Sequence, residues 1–317
     1  MTPETARPFI DLHAPVAAAL AAGRPVVALE STIITHGMPY PDNAAMAERV
    51  EAIIEEEGAV PATIAVVDGR LKIGLAPAAR DALSRTRGAL KLSRADLGFA
   101  VAQGRTGGTT VAATMIAAAI AGIGVFATGG IGGVHRGAEQ TFDISADLTE
   151  LARTPVTVVA AGAKALLDLP KTLEMLETLG VPVVCAGTDE FPAFWSRKSG
   201  LRAPIRLDDA AAIAAFIAAR EALALGGGVL VANPVPAADE IPAEEIGAHI
   251  EAAHADSLAA GIAGKAVTPF LLDAILKRTG GRSLATNIAL IRNNARLAAE
   301  IATALGDPTR APRPAEG

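Results

Sequence analysis

A single cysteine, Cys185, in 317 residues excludes an internal disulfide and any zinc site built on cysteine. Aromatic residues are also scarce, at 3% of the chain, with one tryptophan and one tyrosine. The chain is 51% hydrophobic and long enough to bury a large core, so that core must be closely packed Ala, Val, Ile and Leu. No sign of charge dominates: the net charge is −6 and the charges are interspersed. That argues against a nucleic-acid partner, and an anionic small substrate would need a local cationic pocket. The first residues, MTPETARPFIDLH, lack a cationic stretch leading into an apolar one, so no secretory signal is expected. Apolar runs such as Val111 to Thr128 are Ala-rich and holed by Gly122 and Gly124, too short and small-sided for a membrane span. The expectation is a soluble, cytoplasmic globular protein.

What is present is an alternation of strands and helices. Residues 1–12 read as a loose arm, and Pro15–Ala22 as a short helix stopped by Gly23. Arg24–Thr32 reads as a strand, followed by the loop IITHGMPYPD. Asp42 or Asn43 is then expected to cap a helix over Ala44–Glu57. Ala62–Leu75 contains two alternating strands around Asp68-Gly69, a hairpin signal. A helix over Pro77–Arg87, a strand at Phe99–Ala102, a helix from Thr109 or Thr110 to Ala121 and a strand at Val125–Thr128 follow. Beyond them come a helix at Pro170–Leu179, a strand at Val181–Ala186, a helix at Asp208–Leu225 and a strand at Val229–Ala232. Helices over Ala243–Ala260, Pro269–Lys277 and Ser283–Leu305 close the chain. This order predicts a three-layer α/β/α fold with a mostly parallel central sheet, a small β-hairpin (about 62–75) and a helical C-terminal region. Residues 8–305 are expected to form one domain, and 306–317 a disordered tail.

In such sheets chemistry gathers beyond the carboxyl ends of the strands. The apolar run at Val156–Val159 ends in Ala160, Ala161 and Gly162, and Lys164 follows at once. It is either a surface lysine opening a helix or an amine whose pKa is lowered by desolvation for Schiff-base chemistry. Glu30 ends another apolar run and is either a solvated carboxylate or a general acid with a raised pKa.

TGGTTVAAT and GGIGGVHRG are glycine-rich loops after strands. They match neither the dinucleotide nor the Walker pattern, but with His135 and Arg136 they suggest an anion pocket. In TFDISADL, Asp143, Ser145 and Asp147 alternate, so an extended segment would turn two carboxylates toward one hard cation such as Mg²⁺ or Mn²⁺. Alternatively Asp147 caps a helix with Glu150 three residues on, which leaves Asp143 as the better ligand. Lys91 and Asn287 are unremarkable singly, and Cys185 reads as a buried strand residue.

Taken together, LESTIITHGMPYPDN, RTGGTTVAAT, ATGGIGGVHRG, FDISADL, VVAAGAKALLDLP and SLATNIALIRNNA resemble, in collinear order over residues 8–305, the pseudouridine-5′-phosphate glycosidases, also called indigoidine-synthase-A-like proteins. The resemblance implies reversible cleavage of the C–C glycosidic bond of pseudouridine 5′-phosphate to uracil and ribose 5-phosphate. It implies Lys164 as nucleophile, Glu30 as proton donor and Asp143 as ligand of a divalent cation, usually Mn²⁺. It further implies Lys91, Thr110, Val111, His135, Ser145, Ala146, Asp147 and Asn287 around the substrate, and a homotrimer. Two other readings share parts of this pattern: a Schiff-base enzyme acting on a different sugar phosphate, and a non-catalytic sugar-phosphate-binding protein.

Overall fold

Short runs of Val, Ala and Leu, too apolar to face water on either side, build the central strands of this chain. The computed structural model describes residues 8–262, 264 and 267–306. Its strands are β1 (Ile10–Leu12), β2 (Val26–Leu29), β3 (Val60–Val67), β4 (Arg70–Ile73), β5 (Leu90–Leu92), β6 (Gly107–Thr109), β7 (Val125–Ala127), β8 (Thr157–Ala160), β9 (Val183–Ala186), β10 (Ile205–Leu207) and β11 (Val229–Ala232). They join one sheet in the order β1-β4-β3-β2-β7-β8-β11-β9-β10, with β6 bonded to β3 and β5 beside β6. All pairings from β3 to β10 along that path are parallel. Only β3–β4 and β3–β6 run antiparallel.

The helices are α1 (Ala14–Ala21), α2 (Asp42–Glu56), α3 (Pro77–Arg85), α4 (Arg94–Ala102), α5 (Val111–Ala121), α6 (Ala138–Thr141), α7 (Ala146–Arg153), α8 (Leu169–Thr178), α9 (Ala210–Ala222), α10 (Ala243–Ala259), α11 (Val267–Arg278) and α12 (Arg282–Leu305). Because side chains alternate along a strand, the central strands feed two cores. Ala28, Phe126, Val158 and Leu230 meet Met115 of α5, Leu148 of α7 and Leu176 of α8. Val27, Leu29, Val159 and Val231 meet Val50 of α2, Ile217 of α9 and Leu290, Ile291 and Ala298 of α12. Each fully buried Val, Leu or Ile adds about 1.5–3 kcal/mol of burial to this three-layer arrangement. Among the described residues no helix is long and apolar enough to cross a membrane.

The hairpin at Asp68-Gly69 forms as expected, with Val67 opposite Arg70. Both turn residues have positive φ, which suits the right-handed twist of the strands they join. Four local expectations are corrected. Part of the supposed arm, Ile10–Leu12, is a strand parallel to β4, held by Asp11 to Arg70 and Lys72. Phe99–Ala102 is not a strand but the last turn of α4, whose start is fixed by the Ser93 N–H donating to the Asp96 carboxylate at 2.9 Å. Neither Asp42 nor Asn43 caps α2, because the helix opens at Asp42 itself, after Pro41. Asn43 instead turns inward and donates to the carbonyls of Ile34 and Ser84, both at 2.8 Å. The supposed strand Arg24–Thr32 is regular only over Val26–Leu29, which leaves Glu30 just past its end. The tail expected to be disordered lies, from residue 307 on, outside the described residues.

Candidate active site

Beyond the carboxyl ends of β2, β7 and β8 lies a cavity of about 370 Å³. The first two contributors are Glu30, after β2, and Lys164, after β8. Gly162 makes the turn between β8 and Lys164 in the left-handed region (φ +79°), where a Cβ would come within 2.4 Å of the Pro192 carbonyl. The chain then runs beside the loop after β7: Lys164 N–H donates to the Ile131 carbonyl at 3.1 Å and its Nζ to the Gly130 carbonyl at 2.9 Å. The lysine is therefore not a surface residue opening a helix. Its amine is held at the cavity wall by the backbone of a second strand end.

Glu30 opens to the cavity on one side and is enclosed by protein on the others. Burial raises its pKa above the usual carboxyl value. The positive charge of Lys164, the hydroxyl of Thr128, which donates to Glu30 Oε1, and the charge of Lys91 pull the other way, while Asp147 adds to the rise. Thr128 is itself fixed at both ends: its N–H donates to the Val159 carbonyl at 3.0 Å, and its carbonyl accepts the Asn294 amide at 2.8 Å. Asn294 is fully buried on α12 and also accepts from Asn233 at 3.1 Å, so one asparagine ties the ends of β7 and β11 to the helix.

The helix starts supply the opposite wall. Thr110 caps α5 and lines the cavity with Val111, while Ser145 caps α7 and lines it with Ala146 and Asp147. The segment Asp143–Asp147 is thus extended only as far as Ser145, and the cap of α7 is Ser145 rather than Asp147. Its buried carboxylate accepts the Ala112 N–H at 3.0 Å and the Gly132 N–H at 2.8 Å, one on each oxygen. It pins the start of α5 to the glycine-rich loop. Gly132 is required there, since a Cβ would fall 2.3 Å from Ser145 Oγ.

Asp143, His135, Lys91 and Asn287 complete the expected set around the cavity. Burial lowers the His135 pKa, against the neighbouring Asp143 charge, whose Oδ2 lies 3.9 Å from His135 Nδ1. Among the described residues no three His, Cys, Asp or Glu side chains converge into a metal cage. A hard divalent cation that keeps most of its water shell needs only one or two carboxylates, so the partly exposed Asp143 fits Mg²⁺ or Mn²⁺. Arg136 departs from expectation: it reaches out to Glu251 on α10 and does not line the cavity.

Several lining residues escaped the reading of the sequence, among them Thr32, His36, Ser93, Phe194 and Thr268. His36 sits in a single π-helical turn, Ile33–Gly37, with Thr35 Oγ1 2.7 Å from its Nδ1; burial and Lys91 lower its pKa. Its place in LESTIITHG was the one available signal. Phe194 belongs to FPAFW, a knot of aromatics in a chain that has few.

A family model of "Indigoidine synthase A like protein" matches residues 15–304. The chain belongs to the indigoidine synthase A-like family. Relatives within reach of this family include the pseudouridine-5′-phosphate glycosidase of Mesorhizobium japonicum, 72% identical over 305 residues, covering 96% of this chain and 100% of the relative. The protein of that name from Methylobacterium nodulans is 66% identical over 298 residues, covering 94% and 88%. A crystal structure of the prealnumycin C-glycosynthase in complex with ribulose 5-phosphate superposes with a TM-score of 0.87 at 39% identity, covering 94% of this chain and 97% of that one. An indigoidine synthase A-like protein of Thermotoga maritima gives 0.86 at 36% identity, with the same coverages. The family's three-layer fold and mostly parallel sheet are thus those of this chain.

Proposed function

We propose that residues 8–305 act as one catalytic domain that reversibly cleaves the C–C glycosidic bond of pseudouridine 5′-phosphate, giving uracil and D-ribose 5-phosphate. The observation that carries this reading is the sharing of one cavity by the Lys164 amine and a Glu30 carboxyl whose proton affinity is raised by burial. The names of the relatives supply the substrate class.

An ordinary glycosidase uses two carboxylates and expels an oxygen or nitrogen leaving group. Carbon 5 of uracil leaves poorly unless it is protonated, so an amine and an acid suit this bond better. In the proposed sequence neutral Lys164 attacks C1′ while Glu30 delivers its proton to the ring oxygen, and the C1′–O4′ bond breaks. The new secondary ammonium then returns a proton to the Glu30 carboxylate, which frees the nitrogen lone pair. Next, a proton reaches uracil C5 as the nitrogen lone pair forms the C1′=N bond and the C1′–C5 pair leaves with the base. Water hydrolyses the iminium and returns ribose 5-phosphate and free Lys164.

Asp143 would hold the divalent cation, Mn²⁺ by resemblance, with Mg²⁺ an alternative; such an ion supplies orientation of water and substrate oxygens. The N-terminal ends of α5 and α7, with Lys91, offer positive potential for the phosphate. Thr110, Val111, Ser145, Ala146, Asp147, His135 and Asn287 would contact or frame the substrate. We read the working protein as a cytoplasmic homotrimer, which light scattering of the native protein checks.

The decisive experiment is borohydride trapping with ribose 5-phosphate. A stable mass on the peptide holding Lys164, together with uracil-dependent synthesis of the C-nucleotide, supports the proposal; an adduct only elsewhere refutes it. One observation favours a second reading, the related C-glycosynthase that binds ribulose 5-phosphate. Under that reading the lysine would act on another sugar phosphate, and trapping would occur without release or uptake of uracil.

A further inference from the structure

The one tryptophan of the chain stands beside the cavity without lining it. Trp195 is fully buried, and its ring packs edge-on to Phe194 with centroids 5.1 Å apart. Phe194 has a left-handed backbone (φ +63°), a conformation that costs a non-glycine residue about 1–2 kcal/mol. It puts Phe194 into the cavity wall against Gly129 and Gly130, and its neighbour Trp195 into the core.

There the indole N–H donates to Asn287 Oδ1 at 2.6 Å and is shared with the Ser283 carbonyl at 3.2 Å. An indole N–H can only donate. The carboxamide of Asn287 must therefore turn its oxygen toward Trp195, which leaves its NH₂ at the other end. Among the described residues that nitrogen makes no hydrogen bond, and no buried side-chain nitrogen or oxygen lacks a partner, so it opens onto the cavity that Asn287 lines.

We infer that Trp195 is a positioning residue that locks Asn287 as a hydrogen-bond donor to the base, so that the pocket selects a ring with a carbonyl oxygen at that point. The inference rests on the site being one for pseudouridine 5′-phosphate. A free asparagine side chain could flip and offer its oxygen to an amine-bearing ring; one anchored by an indole cannot. A site whose polar group faces a mismatched edge leaves that group unpaired, which is how hydrogen-bonding sites discriminate strongly.

The test is Trp195→Phe, which keeps an aromatic ring and removes the donor. In the synthetic direction, with ribose 5-phosphate saturating, the KM for uracil should rise about tenfold while kcat changes by less than about threefold. Borohydride trapping of ribose 5-phosphate on Lys164, which involves no base, should stay within about twofold of the wild type. Asn287→Leu should raise the uracil KM at least as far, and adding Trp195→Phe to it should change nothing further, as for residues acting through one contact. An unchanged uracil KM in Trp195→Phe overturns the inference, and so does a full tenfold loss repeated in the Asn287→Leu background. If Trp195→Phe fails to fold, Asn287→Asp takes its place: it keeps the shape and the Trp195 bond but faces the base with an acceptor. A tenfold or larger rise in uracil KM then supports the inference, and an unchanged KM overturns it. A wild-type protein that neither traps at Lys164 nor uses uracil overturns the parent reading instead, an outcome distinct from an active wild type with an indifferent Trp195→Phe.

Discussion

Two glutamates of this protein sit largely within it, one fully buried and one open to the cavity, and they have opposite surroundings. Glu150, on α7, is 1% exposed; Arg94 grips both its oxygens, at 2.6 and 2.7 Å, and the Thr154 hydroxyl donates to it as well. Glu30, past the end of β2, accepts one hydroxyl from Thr128 and faces a cavity where the charges of Lys164 and Lys91 act on it. The more deeply buried of the two is the one gripped by a guanidinium, so burial alone does not make an acid. What differs is the partner: a two-pronged guanidinium occupies both oxygens of one carboxylate, while a single hydroxyl and a desolvated wall leave the other with a raised proton affinity.

The contrast can be broken most severely from the cation side. Lys164→Ala should abolish turnover, by about 10⁴-fold or more, and remove the trapped adduct while circular dichroism stays native. Glu30→Gln should lower turnover by about 10²–10⁴-fold. It should also stabilise the fold at neutral pH. The folded pKa of Glu30 lies above its unfolded value, so the wild type loses stability as pH rises from the ordinary carboxyl range through that raised value. Thermal melts at acid and neutral pH check this, because the advantage of the Gln variant should vanish at acid pH. Asp143→Asn, which touches neither glutamate, should raise the Mn²⁺ concentration for half-maximal activity by at least about 10–100-fold, measured by metal titration of activity.

Glu150→Gln tests the other half of the comparison. It should cost about 1–3 kcal/mol of stability in urea unfolding and leave kcat per folded molecule unchanged. Thr128→Val gives the smallest and most informative effect. Without the donating hydroxyl the Glu30 pKa rises further, so the limb of the pH–rate profile on which Glu30 loses its proton moves to higher pH, and Thr128→Ser restores it. A lower rate with an unmoved limb would assign Thr128 a packing role only.

How much of this was legible depended on range. The Asp68-Gly69 hairpin and the strands around Val158 and Leu230 are written locally, in turn chemistry and in runs too apolar for any surface. Short strands made only by their partners were not. Two of the three residues of Gly107–Thr109 are glycines, which disfavour strands; at Gly107 a Cβ would meet the Leu90 carbonyl at 2.5 Å, between β3 and β5. Phe99–Ala102 reads equally as a strand or a helix, because four apolar residues cannot separate the two periods, and only the Ser93–Asp96 box upstream decides. Asp147 lies in a motif that suggested a cation, yet two backbone N–H groups from Ala112 and Gly132 claim both its oxygens.

By itself, then, the sequence determined the layered α/β class, the reactive residue types at strand ends and the membership of a family whose blocks it carries in order. Those features depend on neighbours within a few residues, or on identity at each position. Tertiary structure alone decided that Lys164 leans on the Gly130 carbonyl, that Arg136 points away toward Glu251 and that Trp195 turns the amide of Asn287. Each of those is a hydrogen bond or ion pair between residues tens of positions apart in the chain, and such partners meet only after the sheet and both helical layers have closed.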